Sequence, residues 1–196
     1  SLSPQYLTEP NIETMFNLKQ EGKVARVGFA GDGKDLSHAI AMKCFDDYMV
    51  TVNIIDQGNC EILLDRVNSD QHVYYKLSLA QAIWKSRNFD RRLKSSNLLR
   101  RLFGREPVPT QWLDYESRFN KVRTLIPSGE FFGTFLKFAL FQGRGDQFVV
   151  IGTQNCSYLK QALNIESTIN SSPELVKQFE DWWSNESNPS WTPHNG

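Results

Sequence analysis

Three short segments and one long one hold the residues of this chain that could do chemistry. Phe135-Leu136-Lys137, Gly152-Thr153-Gln154-Asn155 and Asn164-Ile165-Glu166 bring a lysine, a hydroxyl, an amide and an acid into short order. Positions 135 and 137 are two apart, so on a strand their side chains leave the same face. The long segment, 85 to 105, holds Lys85, Arg87, Arg91, Arg92, Lys94, Arg100, Arg101 and Arg105 against the single acid Asp90, about +7 by side-chain count. Ile83, Trp84, Phe89, Leu93, Leu98, Leu99, Leu102 and Phe103 are interleaved at spacings mostly compatible with a helix. Such a helix either snorkels its cations into solvent over a core or presents them to phosphates, those of nucleic acid before those of a membrane surface.

The three short segments together resemble the half-motif of the phospholipase D superfamily. That family carries His-x-Lys on a strand, Gly-Ser/Thr-x-Asn on the next, and an Asn-x-Glu about a dozen residues on. Lys137, Thr153, Asn155 and Glu166 match that pattern, whereas Phe135 stands at the position of the nucleophilic histidine and Gln142 where the family's Asp would be. The resemblance implies a lysine and an asparagine that hold phosphate oxygens and a glutamate that orients an imidazole. With phenylalanine at position 135 the covalent route is closed, because a benzyl ring has no lone pair to attack phosphorus. The expectation is therefore a degenerate, non-catalytic domain that binds a phosphodiester or nucleic acid, or serves as an assembly subunit. The alternative is an active metal-independent nuclease whose site is altered or completed by a partner. A homodimer or a subunit of a larger complex is expected, with no cofactor and no metal.

Other candidates are weaker. Gly31-Asp32-Gly33-Lys34 looks like a phosphate loop but lacks the GxxxxGK[ST] spacing. His38, His72 and His194 are not placed to replace the missing nucleophile. Cys44, Cys60 and Cys156 are odd in number and far apart, with no CxxC or Cys/His cluster, which argues against a disulfide framework or a zinc site.

The elements that must position these residues follow from periodicity. Asn11 to Glu21 reads as a helix closed by Gly22, and Val24 to Ala30 as a strand. Asp35 is expected to cap a helix carrying Leu36, Ala39, Ile40 and Cys44. Met49 to Ile55 reads as a buried strand, Cys60 to Val67 as a helix, and His72 to Leu77 as a third strand. This βαβαβ alternation implies parallel strands joined by right-handed crossovers. Residues 78 to 126 read as a mostly helical insertion, broken at Gly104 and at Pro107-Val108-Pro109. Phe131 to Phe141 and Gln147 to Thr153 read as a β-hairpin, Ile165 to Ile169 as a short strand, and Ser172-Pro173-Glu174 as the start of a last helix.

Composition bounds the whole. The 196 residues, 40% hydrophobic and 22% charged, can bury a sizeable core, and 22 basic residues balance 22 acidic ones. No apolar run reaches the length of a membrane span, and none near the start reads as a signal peptide, so a cytoplasmic location is expected. The expectation is one α/β domain over residues 1–196, a mixed sheet flanked by helices, with a flexible tail over 186–196.

Overall fold

The computed structural model describes residues 7–63, 70–85, 111–142, 147–167, 173–186 and 191. In chain order the elements are α1 (Glu9–Gln20), β1 (Gly28–Ala30), α2 (Gly33–Met42), β2 (Asp47–Thr51), α3 (Gly58–Leu63) and β3 (His72–Lys76). A 3-10 turn (Ala80–Lys85), α4 (Gln111–Val122), α5 (Phe131–Phe141), β4 (Gln147–Val149), α6 (Cys156–Ser167) and α7 (Pro173–Glu186) follow. The four strands form one sheet in the order β1-β2-β3-β4, parallel at every pairing. The α/β class and the βαβαβ opening hold.

One face of the sheet is the core face. Phe29, Tyr48, Val50, Val73 and Tyr75 alternate inward along the strands and are buried with Leu36, Ala39 and Ile40 of α2. The opposite face is different in kind. Ala30, Met49 and Tyr74 lie in register across it, with Phe148 beside Tyr74. Phe148 stacks on Tyr74 at 5.1 Å between ring centroids and stays 46% exposed, and Met49 is 36% exposed. Met49, Tyr74 and Phe148 belong to neither of the two hydrophobic cores. Parallel sheets ordinarily have both faces covered.

The second half of the chain departs from expectation. Phe131–Phe141 is a helix, not a strand, so no hairpin forms, and β4 pairs parallel to β3. The physical reason lies in what α5 touches. Phe135 and Phe138 pack into the main core, while Phe132 and Leu136 pack with Ala162 and Ile165 of α6 into a smaller one. A helix buried on two sides reads as one continuous apolar run, and periodicity cannot separate that from a buried strand. The strand expected at Ile165 to Ile169 is overturned as far as it is described: Ile165 lies within α6, and residues 168–169 fall outside the described residues. Asp32, not Asp35, occupies the N-cap position of α2, and its carboxylate is used elsewhere. Of the helix expected over Cys60 to Val67, α3 accounts for Gly58–Leu63, and 64–69 fall outside the described residues.

Candidate functional site at the carboxyl ends of the strands

Asp32 leaves β1, Thr51 ends β2 and Lys76 ends β3, so the parallel sheet delivers all three to one edge. In open parallel sheets, ligand sites form outside the carboxyl ends of the strands. The Asp32 side chain is fully buried and accepts the Thr51 backbone N–H at 2.6 Å, the Thr51 hydroxyl at 3.0 Å and the Asn59 amide at 2.8 Å. Lys76 Nζ lies 3.0 Å from Asp32 Oδ2, the oxygen that also accepts the Thr51 hydroxyl, and the lysine side chain is 17% exposed. A buried carboxylate is costly unless paired and hydrogen-bonded, and this one is both. Asn59, on α3, also donates to the Thr51 carbonyl and accepts the Gly33 N–H, which fixes the loop after β1 against the end of β2. Because residues two apart share a face, Thr51 and Lys76 rise from the same side of the sheet as Met49 and Tyr74, with Thr51 itself fully buried.

A second polar cluster adjoins the loop after β2. Asn53 donates to the Leu77 carbonyl at 3.0 Å, and the Tyr115 hydroxyl of α4 donates to Asp56. Burial, then the charge of Asp56 and its hydrogen bond, push the Tyr115 phenol well above its ordinary value. Arg118, also on α4 and buried, donates to the Ile55 carbonyl and sits 4.8 Å from the centre of the Trp191 ring. The backbone between the clusters is strained: Leu77, Ala80, Gln81 and Ala82 all have positive φ, between 42° and 54°. Left-handed runs of non-glycine residues are rare, and such strain concentrates beside functional sites.

The structure places the residues singled out in the sequence elsewhere. Phe135 is buried on α5, 5.1 Å from the Trp84 ring and 6.5 Å from that of Phe119. On a helix, positions two apart diverge, so half-buried Lys137 points away from it. Thr153 and Asn155 form an exposed capping turn: the Thr153 hydroxyl accepts the Asn155 N–H, and Asn155 Oδ1 accepts the Ser157 N–H at 2.9 Å. That is an N-cap for α6. Glu166 lies in the last turn of α6. Lys85 stacks its ammonium 4.1 Å over the Tyr158 ring. Arg87, Arg91, Arg92, Lys94, Arg100, Arg101 and Arg105 lie outside the described residues. Among the described residues no group of three His, Cys, Asp or Glu side chains could hold a metal, and no helix is long and apolar enough to cross a membrane.

No protein-family model and no curated protein sequence matches the chain. Its fold is similar to that of an aldo-keto reductase from Bacillus halodurans, solved in its holo form, a barrel-like parallel α/β structure. The TM-score is 0.61 at 15% sequence identity, over 87% of this chain and 54% of that one. The chain thus spans about half the length of the reductase it matches. This likeness overturns the phospholipase D resemblance, and with it both the phosphodiester-binding and the nuclease readings. The strand on which the family's His-x-Lys pair would stand is instead helix α5.

Sequence reasoning passed over Thr51, Asn59 and Lys76, and met Asp32 only within the weak phosphate-loop candidate Gly31–Lys34. The signal that would have found them is a polar residue at the end of each of three consecutive parallel strands. Thr51 and Asn53, set in the apolar run from Met49 to Ile55, are its plainest instance.

Proposed function

We propose that this chain is a ligand-binding α/β domain whose site is the Lys76–Asp32 pair, and that its ligand presents a ketone or aldehyde oxygen to the Lys76 ammonium. The observation that supports this reading is the pair itself, with its carboxylate sealed in and its lysine side chain 17% exposed at the carboxyl edge of the sheet. A lysine has three N–H donors, and one suffices for Asp32. Charge balance selects among oxygen ligands. Asp32 already neutralises the lysine, so a carboxylate would bring one negative charge in excess into the site, whereas a carbonyl brings none. The name of the structural neighbour, an aldo-keto reductase, points to the same functional group.

The residues support binding and polarisation of the carbonyl. The Tyr115 phenol is committed to Asp56 and raised well above its ordinary value, which makes it a poor proton donor. The test is an NMR titration with small ketones beside the matching alcohols and carboxylates. Saturable shifts around Lys76 are expected for ketones, weakened at least ~10-fold in an Asp32→Asn/Lys76→Met double variant. The double variant matters because Lys76→Met alone leaves a buried charge uncompensated and is expected to cost about 3–5 kcal/mol of stability, most of it restored in the double. Ketone binding that is absent, or that survives the double substitution unchanged, overturns the reading.

A further inference from the structure

Arg118 is a charge that the fold has taken out of water. It is 1% exposed, and its Nη1 donates to the Ile55 carbonyl at 3.3 Å. Three rings lie over the guanidinium: Trp191 at 4.8 Å, Tyr115 at 5.5 Å and Trp183 at 6.0 Å. A buried cation is costly unless compensated, and aromatic faces compensate it best where water is excluded. Trp191 is the nearest of the three and differs from the others in how it is held. Tyr115 and Trp183 are built into α4 and α7, whereas Trp191 lies beyond the end of α7 and is half-buried. It packs on Trp182 and Trp183 at 6.2 and 5.6 Å, with the Lys121 ammonium 5.4 Å from its ring centre.

From Arg118 a run of hydrogen bonds leads to the Lys76–Asp32 pair. Arg118 and Tyr115 hold Ile55 and Asp56, and the loop after β2 is closed on itself by the Asn53 and Asp56 backbones at 3.1 and 3.0 Å. Gln57 ties the same loop to α7, donating to the Ile54 and Phe179 carbonyls. Then α3 begins, and Asn59 donates to Asp32 at 2.8 Å while accepting the Gly33 N–H at 2.9 Å. Asn53 reaches the other partner, through the carbonyl of Leu77 beside Lys76. Ile54, Ile55, Asp56, Gln57 and Asn59 are all buried, and close-packed interiors transmit a displacement instead of absorbing it.

We propose that Trp191 is a positioning residue for the Lys76–Asp32 pair. Seated on Arg118, it holds the loop after β2 where Asn59 can grip Asp32; withdrawn, it loosens that grip. Seated and withdrawn are the two states that coupling between distant positions requires. Ring contacts of this kind are individually modest, so the seat can empty while α4 and α7 stay folded. What Trp191 controls is the aim of the Asp32 carboxylate, and through it the direction in which Lys76 points its remaining N–H donors. For the ligand this inference rests on the carbonyl reading; for the geometry of Asp32 it does not.

Two variants and two readouts test it. In Trp191→Ala the amide resonances of Gly33, which donates to Asn59, and of Thr51, which donates to Asp32, are expected to move while those of α1 stay in place. Cyclohexanone binding at Lys76 is expected to weaken at least ~5-fold. Trp191→Phe keeps a ring over Arg118 and is expected to restore both. Should Trp191→Ala lose its fold by circular dichroism, Trp191→Leu is read in the same way. A merely structural tryptophan would lower the urea midpoint and leave the native amide positions and the affinity as they were. Unmoved Gly33 and Thr51 amides therefore overturn the proposal, as does an unchanged cyclohexanone affinity beside a parent that binds it. If the parent binds no ketone, the carbonyl reading falls alone and the amides decide this one.

Discussion

Cys60 shows how strongly residue chemistry depends on placement here. It sits on α3 next to Asn59, and burial, reinforced by the charges of Asp56, Glu180 and Glu61, pushes its thiol up to about 12. Burial raises Cys44 as well, whereas Cys156 is exposed at the start of α6. The thiolate is the reactive form, and at pH 8 a thiol near 12 is ionised to roughly one part in 10⁴. A disulfide reagent at pH 8 is therefore expected to titrate Cys156 at once and Cys60 only after denaturant is added. Prompt reaction of Cys60 in the native chain would mean that α3 does not pack as described. Phe135 makes the same point from the other direction. Its neighbours Trp84 and Phe119 are rings and its own side chain is fully buried, so an imidazole there would sit among aromatic rings.

At the scale of elements, the turn after β3 is the part the chain holds with most difficulty. Ala80, Gln81 and Ala82 are consecutive left-handed residues, and Gln81 is exposed. Glycine adopts that conformation without a Cβ clash, so Gln81→Gly is expected to stabilise the protein by about 1 kcal/mol, read as a higher urea midpoint at unchanged slope. A lower midpoint would show that the turn is not left-handed in solution. The elements up to β3 were legible in the sequence because each shows the core one side. Phe29, Val50 and Val73 alternate with outward residues, and Leu36, Ala39 and Ile40 recur at helical spacing. From Phe131 onward legibility was partial: the strand from Gln147 and the helix opening at Pro173 were read, whereas α5 and α6 were not. Buried on two sides, α5 shows no polar stripe. The site was illegible for a further reason: Asp32, Thr51 and Lys76 meet only through strand order, which local spacing does not carry.

At the scale of the whole molecule, a long-range ion pair ties the first helix to the residue that leads into β2. Lys19 of α1 grips Asp46, just before β2, at 2.6 and 2.7 Å, and the Val27 N–H donates to the same carboxylate. Burial alone would raise Asp46. The Lys19 and Val27 hydrogen bonds and the charges of Lys19 and Arg26 outweigh it, and the carboxyl is held below its ordinary 3.8. A depressed acid contributes stability that is full above its unfolded-state value and is lost as the pH falls through the folded one. Asp46→Asn is thus expected to lower the urea midpoint at pH 7 and at pH 5, and to converge with the parent as the pH drops below ~3. A gap independent of pH would remove this pair from the account of acid stability.

Helix α5 has one further consequence for the molecule as a whole. Phe135 and Phe138 complete the main core while Phe132 and Leu136 complete the small one, so among the described residues this one helix serves both cores. The stretch from Gly28 to Lys76 looks like a detachable motif, yet cutting after it would strip its core of Phe135, Phe138 and Phe179 together. A fragment ending there would keep α2 on its core face but lose the aromatic side chains packed beside it. What reads as a modular βαβαβ beginning shares its core with the helices that arrive last.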